Sequence, residues 1–178
     1  PLPDFSGHTT IQMPQDKVKT MLRRTSFAVS TDENRYVLNG LYLSFKENKL
    51  TMVATDGRRL ALAEEEVELP GESPMELIVP TKAIQELSRQ LGEEGNVKIQ
   101  ITENQVSFGL EEKQGTGSLI VSKLVEGAYP NYKQVIPAES KHRVTLDKEE
   151  LFHALRRAEI MTSEKANSVK LTFSENNL

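Results

Sequence analysis

The chain holds 178 residues with a formal net charge of −4, 37% hydrophobic and 27% charged residues, only 6% aromatics, and neither Cys nor Trp. That balance lies on the globular side of the disorder boundary, suits one domain or one and part of a second, and demands a mostly aliphatic core. It excludes disulfides, iron–sulfur centres, thiolate zinc sites and cysteine nucleophiles, and fits a reducing, cytoplasmic compartment. His8, His142 and His153 stand at no metal-binding spacing, so no metal or other cofactor is expected. No apolar run approaches the roughly 18 residues needed to cross a bilayer, so no membrane partner is expected either. Opening at Pro1 without Met and stopping at Leu178 inside a strand-like run, the chain reads as a piece of something longer.

In chain order, a short strand at Ile11-Gln12-Met13-Pro14 runs into a helix over 15–26 with Val18, Met21, Leu22 and Thr25 on one face. Proline suits a helix start, because its missing N–H would be unpaired there anyway. Leu41 to Leu50 alternates apolar and polar residues, reaches Glu47-Asn48, then turns apolar again, the pattern of a strand entering a hairpin. Asn tolerates the left-handed conformation such a turn needs. An acidic link with Pro70, Gly71 and Pro74 follows. The pattern then returns: strand Leu77-Ile78-Val79-Pro80, helix 81–92 with Ile84, Leu87, Ser88 and Leu91 inward, and strand-and-turn Val97 to Val106. It starts a third time with Val144 to Asp147, a helix over 147–162 capped by Asp147 with Leu151, Ala154, Leu155 and Ala158 on one face, and a strand from Val169.

The repeating unit is therefore strand, helix and a three-stranded meander. The first copy spans about 9–68 and the second 75–126; the third begins near 142 and is cut after its first hairpin strand. Two β-α-β-β-β units make one α+β domain with helices on one face of antiparallel sheet. Residues 1–8 are read as the end of a preceding linker, 9–137 as a complete domain including the linker 127–137, and 138–178 as the start of the next.

Charge is unevenly placed. Lys17, Lys19, Arg23 and Arg24 stand against Asp16 in the first helix, and at about 100° per residue all four basic side chains fall away from its apolar stripe. Lys82 and Arg89, seven apart, share a stripe on the second helix opposite Ile84 and Leu91. Residues 62–77 hold six Glu and no Lys or Arg. A solvated helix face is the plain account of any one of these. Two basic helices in an acidic chain fit a cationic lining toward a polyanion backbone, with acidic strands and loops outside. No recognition-helix motif or aromatic cluster is present, so such binding would be non-specific.

Two stretches stand out from the repeat: Val53-Ala54-Thr55-Asp56-Gly57-Arg58-Arg59-Leu60-Ala61, with its tight-turn Asp-Gly, and Ser122 to Pro137, with Tyr129-Pro130-Asn131-Tyr132. Together with Tyr36-Val37-Leu38-Asn39-Gly40, in this order and spacing, they resemble the bacterial sliding clamp family, the β subunit of DNA polymerase III. The resemblance covers nearly the whole chain and implies the DNA-clamp fold: a homodimeric ring of similar domains, helices lining the hole and sheets outside, closed around duplex DNA without reading bases. It implies a processivity factor that tethers the replicative DNA polymerase, the clamp loader and other partners through short peptide motifs. Lys17, Lys19, Arg23, Arg24, Lys82 and Arg89 would then line the hole, and Arg35 and Tyr36 would be DNA contacts at the ring face, although Asp32 and Glu33 oppose phosphate there. The family's peptide pocket would match Leu38, Thr55, Gly57, Arg58, Arg59, Leu60, Pro130, Gln134 and Val135. Position 134 is Gln where some relatives carry a basic residue, and the rest of that pocket would come from the end of a third domain.

Two other functions fit parts of the sequence. A peptide-binding adaptor that never meets DNA would share the pocket and differ in DNA loading. An enzyme using Asp56 with Arg58 or Arg59 has no second acid, His or nucleophile nearby, and Gly115-Thr116-Gly117-Ser118 opens no helix and is a poor phosphate cradle. A non-catalytic accessory protein is the expectation.

Overall fold

The computed structural model describes residues 9–71, 73–111, 117–140, 142–162, 168–174 and 177–178. The predicted linker end 1–8, Gly115-Thr116 and Glu175-Asn176 lie outside the described residues. The elements are β1 (Thr9–Pro14), α1 (Gln15–Thr25), β2 (Gly40–Lys46), β3 (Lys49–Thr55), β4 (Leu60–Glu66), β5 (Met75–Pro80), α2 (Thr81–Gln90), β6 (Asn96–Ile101), β7 (Gln105–Leu110), β8 (Ser118–Lys123) and α3 (Lys148–Glu159). Two compact units divide between Pro130 and Asn131, inside the predicted 127–137 linker.

In the first unit the strand–helix–meander order appears twice, and the strands form two four-stranded antiparallel sheets, β4-β3-β2-β5 and β1-β6-β7-β8. Each sheet combines the meander of one repeat with the first strand of the other. A copy of the unit therefore does not form a sheet by itself; β1 pairs with β6, from Thr9 opposite Ile101 to Pro14 opposite Asn96, and β5 pairs with β2. This exchange interlocks the repeats through backbone hydrogen bonds, which alternation along a single strand cannot foretell.

Both helices lie on one hydrophobic core. Val18, Met21 and Leu22 of α1 and Ile84 and Leu87 of α2 bury with Ile11, Met13, Leu41, Leu43, Phe45, Ile99 and Phe108, and the helices touch each other. The predicted inward faces are thus the observed ones, apart from half-buried Ser88 and the addition of buried Gln15. Pro14 and Pro80 occupy the N-cap positions without side-chain caps. The N-terminus of α1 is held from outside instead, by Gln15 N–H donating to Gly95 O at 3.0 Å. The predicted turn after β2 is present, and both Glu47 (φ 54°) and Asn48 (φ 55°) adopt the left-handed conformation. At the equivalent turn of the second repeat the Thr102 hydroxyl accepts from Gln105 N–H, and Asn104 keeps an ordinary φ.

A smaller apolar layer lies on the opposite face of the β2 sheet. Tyr42 is in register with Val53 on one side and Ile78 on the other, and all three are buried outside the main core. The segment after β8 straps over this row. Val125 N–H donates to Ile78 O at 2.9 Å, and the Tyr129 ring stacks on Tyr42 with centroids 4.9 Å apart.

In the second unit Asp147 caps α3 as predicted, its carboxylate accepting Glu150 N–H at 2.9 Å. The predicted strand 144–147 and the strand beginning at Val169 form no ladder; the one pairing near the chain's end is an isolated bridge between Ser174 and Asn177. A strand is stabilised by a neighbour, and the described residues of this unit supply none. For the same reason the predicted apolar face of α3 is not buried: Leu151 and Ala158 are half-buried, and Ala154 and Leu155 are exposed.

Candidate functional site

The cationic face comes first. Lys17, Arg23 and Arg24 on α1 and Lys82 and Arg89 on α2 are exposed and Lys19 is half-buried, on adjacent helices whose other faces enter a common core. The expectation that acidic strands and loops stay apart from these cations fails. Lys17 Nζ meets Glu65 Oε1 of β4 at 2.6 Å, Lys19 Nζ meets Glu93 Oε1 of the loop after α2 at 2.6 Å, and Arg89 pairs with Glu86 within its own helix. The reason is tertiary: α1 packs across β3 and β4, which brings a residue of the acidic link beneath its basic stripe. Glu65 holds the Lys17 ammonium above its usual range by hydrogen bond and charge, and the Lys19 ammonium, with Arg23 more weakly, holds the Glu93 carboxyl below its own. Among the described residues, Arg23, Arg24 and Lys82 stand in no ion pair.

The second surface is the loop between β3 and β4. Thr55 and Leu60 are register partners, so the loop spans four residues, wider than the tight two-residue hairpin that Asp-Gly announces. Side chains organise it. The Asp56 carboxylate accepts Arg58 N–H at 2.9 Å and Arg59 N–H at 3.1 Å, while Arg59 Nε donates to it at 3.2 Å. These donors stabilise the anion and hold the Asp56 carboxyl below its usual range, the two backbone amides contributing most. A carboxylate so engaged is a turn organiser and not a free base. Thr55 Oγ1 accepts Gly57 N–H at 3.1 Å and donates to Arg59 O at 2.7 Å. Gly57 has φ +85°, which favours glycine.

A third element lies against this loop. Glu33–Asn39 forms two short 3₁₀ turns that kink at Arg35, with Asp32 capping Asn34 N–H at 3.0 Å. Arg35 Nη1 donates to Asp56 O at 3.2 Å, and its Nε lies 3.6 Å from Asp32 Oδ2. In the other direction, Arg59 Nη2 donates to Phe27 O at 2.8 Å and the guanidinium stands over the Phe27 ring, 5.6 Å from its centroid. Tyr36 is exposed, and a Cβ on Gly127 would stand 3.6 Å from its hydroxyl.

Of the predicted pocket residues, Thr55, Gly57, Arg58, Arg59 and Leu60 share this one loop. Leu38 sits in the adjoining segment, where its carbonyl accepts Ser30 N–H at 3.0 Å. Pro130 ends the first unit directly after the stacked Tyr129. Gln134 and Val135 belong to the second unit, at and just after a 3₁₀ turn over Tyr132–Gln134, and both are exposed. Sequence reasoning missed Phe27, whose only signal is a large aromatic just beyond a helix end, and the tight-turn reading of Asp-Gly gave no sign of the three bonds that the Asp56 carboxylate accepts. The Tyr129 hydroxyl lies near the Thr55 backbone without reaching hydrogen-bond geometry, and burial pushes its pKa up to about 12. Among the described residues no group of acids and His could hold a metal ion, and no helix is long and apolar enough to cross a membrane.

Comparison with known proteins accounts for these features together. The profile of the DNA polymerase III beta subunit central domain matches residues 12–131, and that of its C-terminal domain matches 133–178. The chain belongs to the DNA polymerase III beta subunit family. It is 36% identical to the beta sliding clamp of Chlamydia pneumoniae over 97% of this chain and 46% of the relative, and 35% identical to that of Bacillus subtilis over 94% and 43%. The crystal structure of the Bacillus subtilis DNA polymerase sliding clamp superposes with a TM-score of 0.83 at 34% identity, covering 92% of this chain and 42% of the other. The chain therefore spans less than half the length of these sliding clamps, and its α+β fold is the clamp fold that the resemblance implied.

Proposed function

We propose that this protein is a replication processivity clamp: a ring that encircles duplex DNA without sequence specificity and tethers the replicative polymerase, served by a clamp loader. In this reading it is a cytoplasmic, non-catalytic accessory subunit acting as a homodimer. Residues 9–137 form the middle domain and 138–178 the start of the third. Arg23, Arg24, Lys82 and the paired cations beside them face the DNA, and the Thr55–Leu60 loop with Leu38 and Pro130 forms the first unit's share of the peptide pocket.

The observation that carries the reading, besides family membership, is the pair of adjacent helices with cations on the faces turned away from their common core. Three of those cations carry an acidic partner that weakens a static grip on phosphate. Weak, sequence-blind contact is what sliding requires.

The test loads the full-length protein onto closed circular DNA and follows retention before and after linearisation. Retention should collapse on the linear form, because the ring slides off the ends; equal retention on both forms would refute encirclement. Neutralising Arg23, Arg24 and Lys82 together should weaken loading and flatten its salt dependence by roughly 0.9 logarithmic units per lost phosphate contact.

A further inference from the structure

Arg35 was expected at a DNA contact, yet its guanidinium is already committed. Nη1 donates to the carbonyl of Asp56 at 3.2 Å, and Nε faces Asp32 at 3.6 Å. The same Nη1 fills the space that a side chain on residue 57 would need: a Cβ built on Gly57 would fall 2.7 Å from it. Gly57 thus serves two ends, the positive φ of the turn and room for a guanidinium beneath it. Arg59 reaches the opposite way to the Phe27 carbonyl and ring, so two arginines cross between the 27–36 segment and the 56–59 loop and meet at Asp56. Between the two stretches lies a cleft of about 280 Å³, also lined by Ser30 and Arg58, which gives Arg35 room to swing.

We propose that Arg35 is a positioning residue for the Thr55–Leu60 loop, so that an anion drawing Arg35 outward loosens the loop and opposes peptide binding there. The inference rests on the peptide-pocket reading above and adds its regulation. An anion that pulls the guanidinium outward, against the Asp32 carboxylate 3.6 Å from Nε, breaks the bond to the Asp56 carbonyl and empties the space under Gly57. Coupling between two binding sites is reciprocal, so a peptide that needs the ordered loop disfavours anion capture by the same factor. Lysine cannot replace Arg35 here, because a single ammonium cannot face Asp32 and the Asp56 carbonyl with separate, rigidly spaced donors.

The experiment titrates a fluorescein-labelled pentapeptide carrying a Leu-Phe pair into the full-length protein, the R35A and R35K variants, and the wild type in inorganic phosphate against chloride of equal ionic strength. Amide chemical shifts of Gly57 and Arg59 are recorded without peptide. R35A and R35K should both weaken the peptide roughly three- to tenfold, the net scale of one ordinary, solvent-exposed hydrogen bond. Phosphate should weaken peptide binding to the wild type and leave R35A unaffected, and the Gly57 amide should shift in both variants. Wild-type affinity in R35A, full recovery in R35K, or a phosphate effect that persists in R35A would overturn the proposal. If the wild type binds no peptide, the pocket reading falls and the amide shifts decide the positioning role separately: displaced in both variants it stands, unmoved it falls.

Discussion

Gln15 offers the sharpest test of how the first unit holds together. It is 3% exposed at the first position of α1, and each of its side-chain polar atoms is engaged. Nε2 donates to Glu111 O at 3.0 Å and Asn96 O at 3.3 Å, and Oε1 accepts Gly92 N–H at 2.8 Å. The clasp ties the first helix of one repeat to the loop and strands of the other. In Q15A, Asn96 O keeps Glu111 N–H as a partner, while Glu111 O and Gly92 N–H lose the side chain that satisfied them. At about 1–3 kcal/mol for each buried group left unpaired, and with sites only part-buried, the expected loss is about 2–3 kcal/mol. Gln15→Glu keeps the shape and removes both donors, setting a carboxylate against two carbonyls, so at neutral pH it should be at least as damaging as Ala. Because the protonated acid regains one donor, Q15E should recover in mild acid while Q15A does not. Urea unfolding followed by far-ultraviolet circular dichroism measures both. A Q15E midpoint equal to wild type at neutral pH would refute the clasp.

Gly57→Ala forces a side chain into positive φ and against Arg35, and should cost about 1–2 kcal/mol from the backbone alone, read as a lower melting temperature. Adding R35A should relieve the steric part, so the double variant should lie above the sum of the singles. Tyr129 is shifted upward, so its neutral form stabilises the fold fully below pH 10, and that contribution fades as pH rises toward about 12. Tyr129→Phe should remove this alkaline loss in pH-dependent melting; a Y129F curve parallel to wild type between pH 10 and 12 would contradict it. In the second unit, Asp147→Ala removes the cap of α3 and should cost about 1 kcal/mol of helix stability, seen as reduced helical dichroism. An unchanged spectrum would mean that the cap is not holding the helix.

Much of this protein was legible in the order of its residues. The inward faces of α1 and α2, the left-handed turn at Asn48 and the Asp147 cap are local properties, set by a periodicity or a capping side chain within a few residues. The family motifs likewise pointed to the loop at Thr55–Leu60 and to the strap that ends at Tyr129. Tertiary structure alone decided which strand pairs with which, and so exchanged β1 and β5 between the two sheets. It also decided that Lys17 and Lys19 meet Glu65 and Glu93, 48 and 74 residues away, and that Arg35 lies under Gly57. The physical reason is one of range. A helix face follows from a short stretch of chain, whereas ladder partners and ion pairs depend on which distant surfaces the shared core draws together.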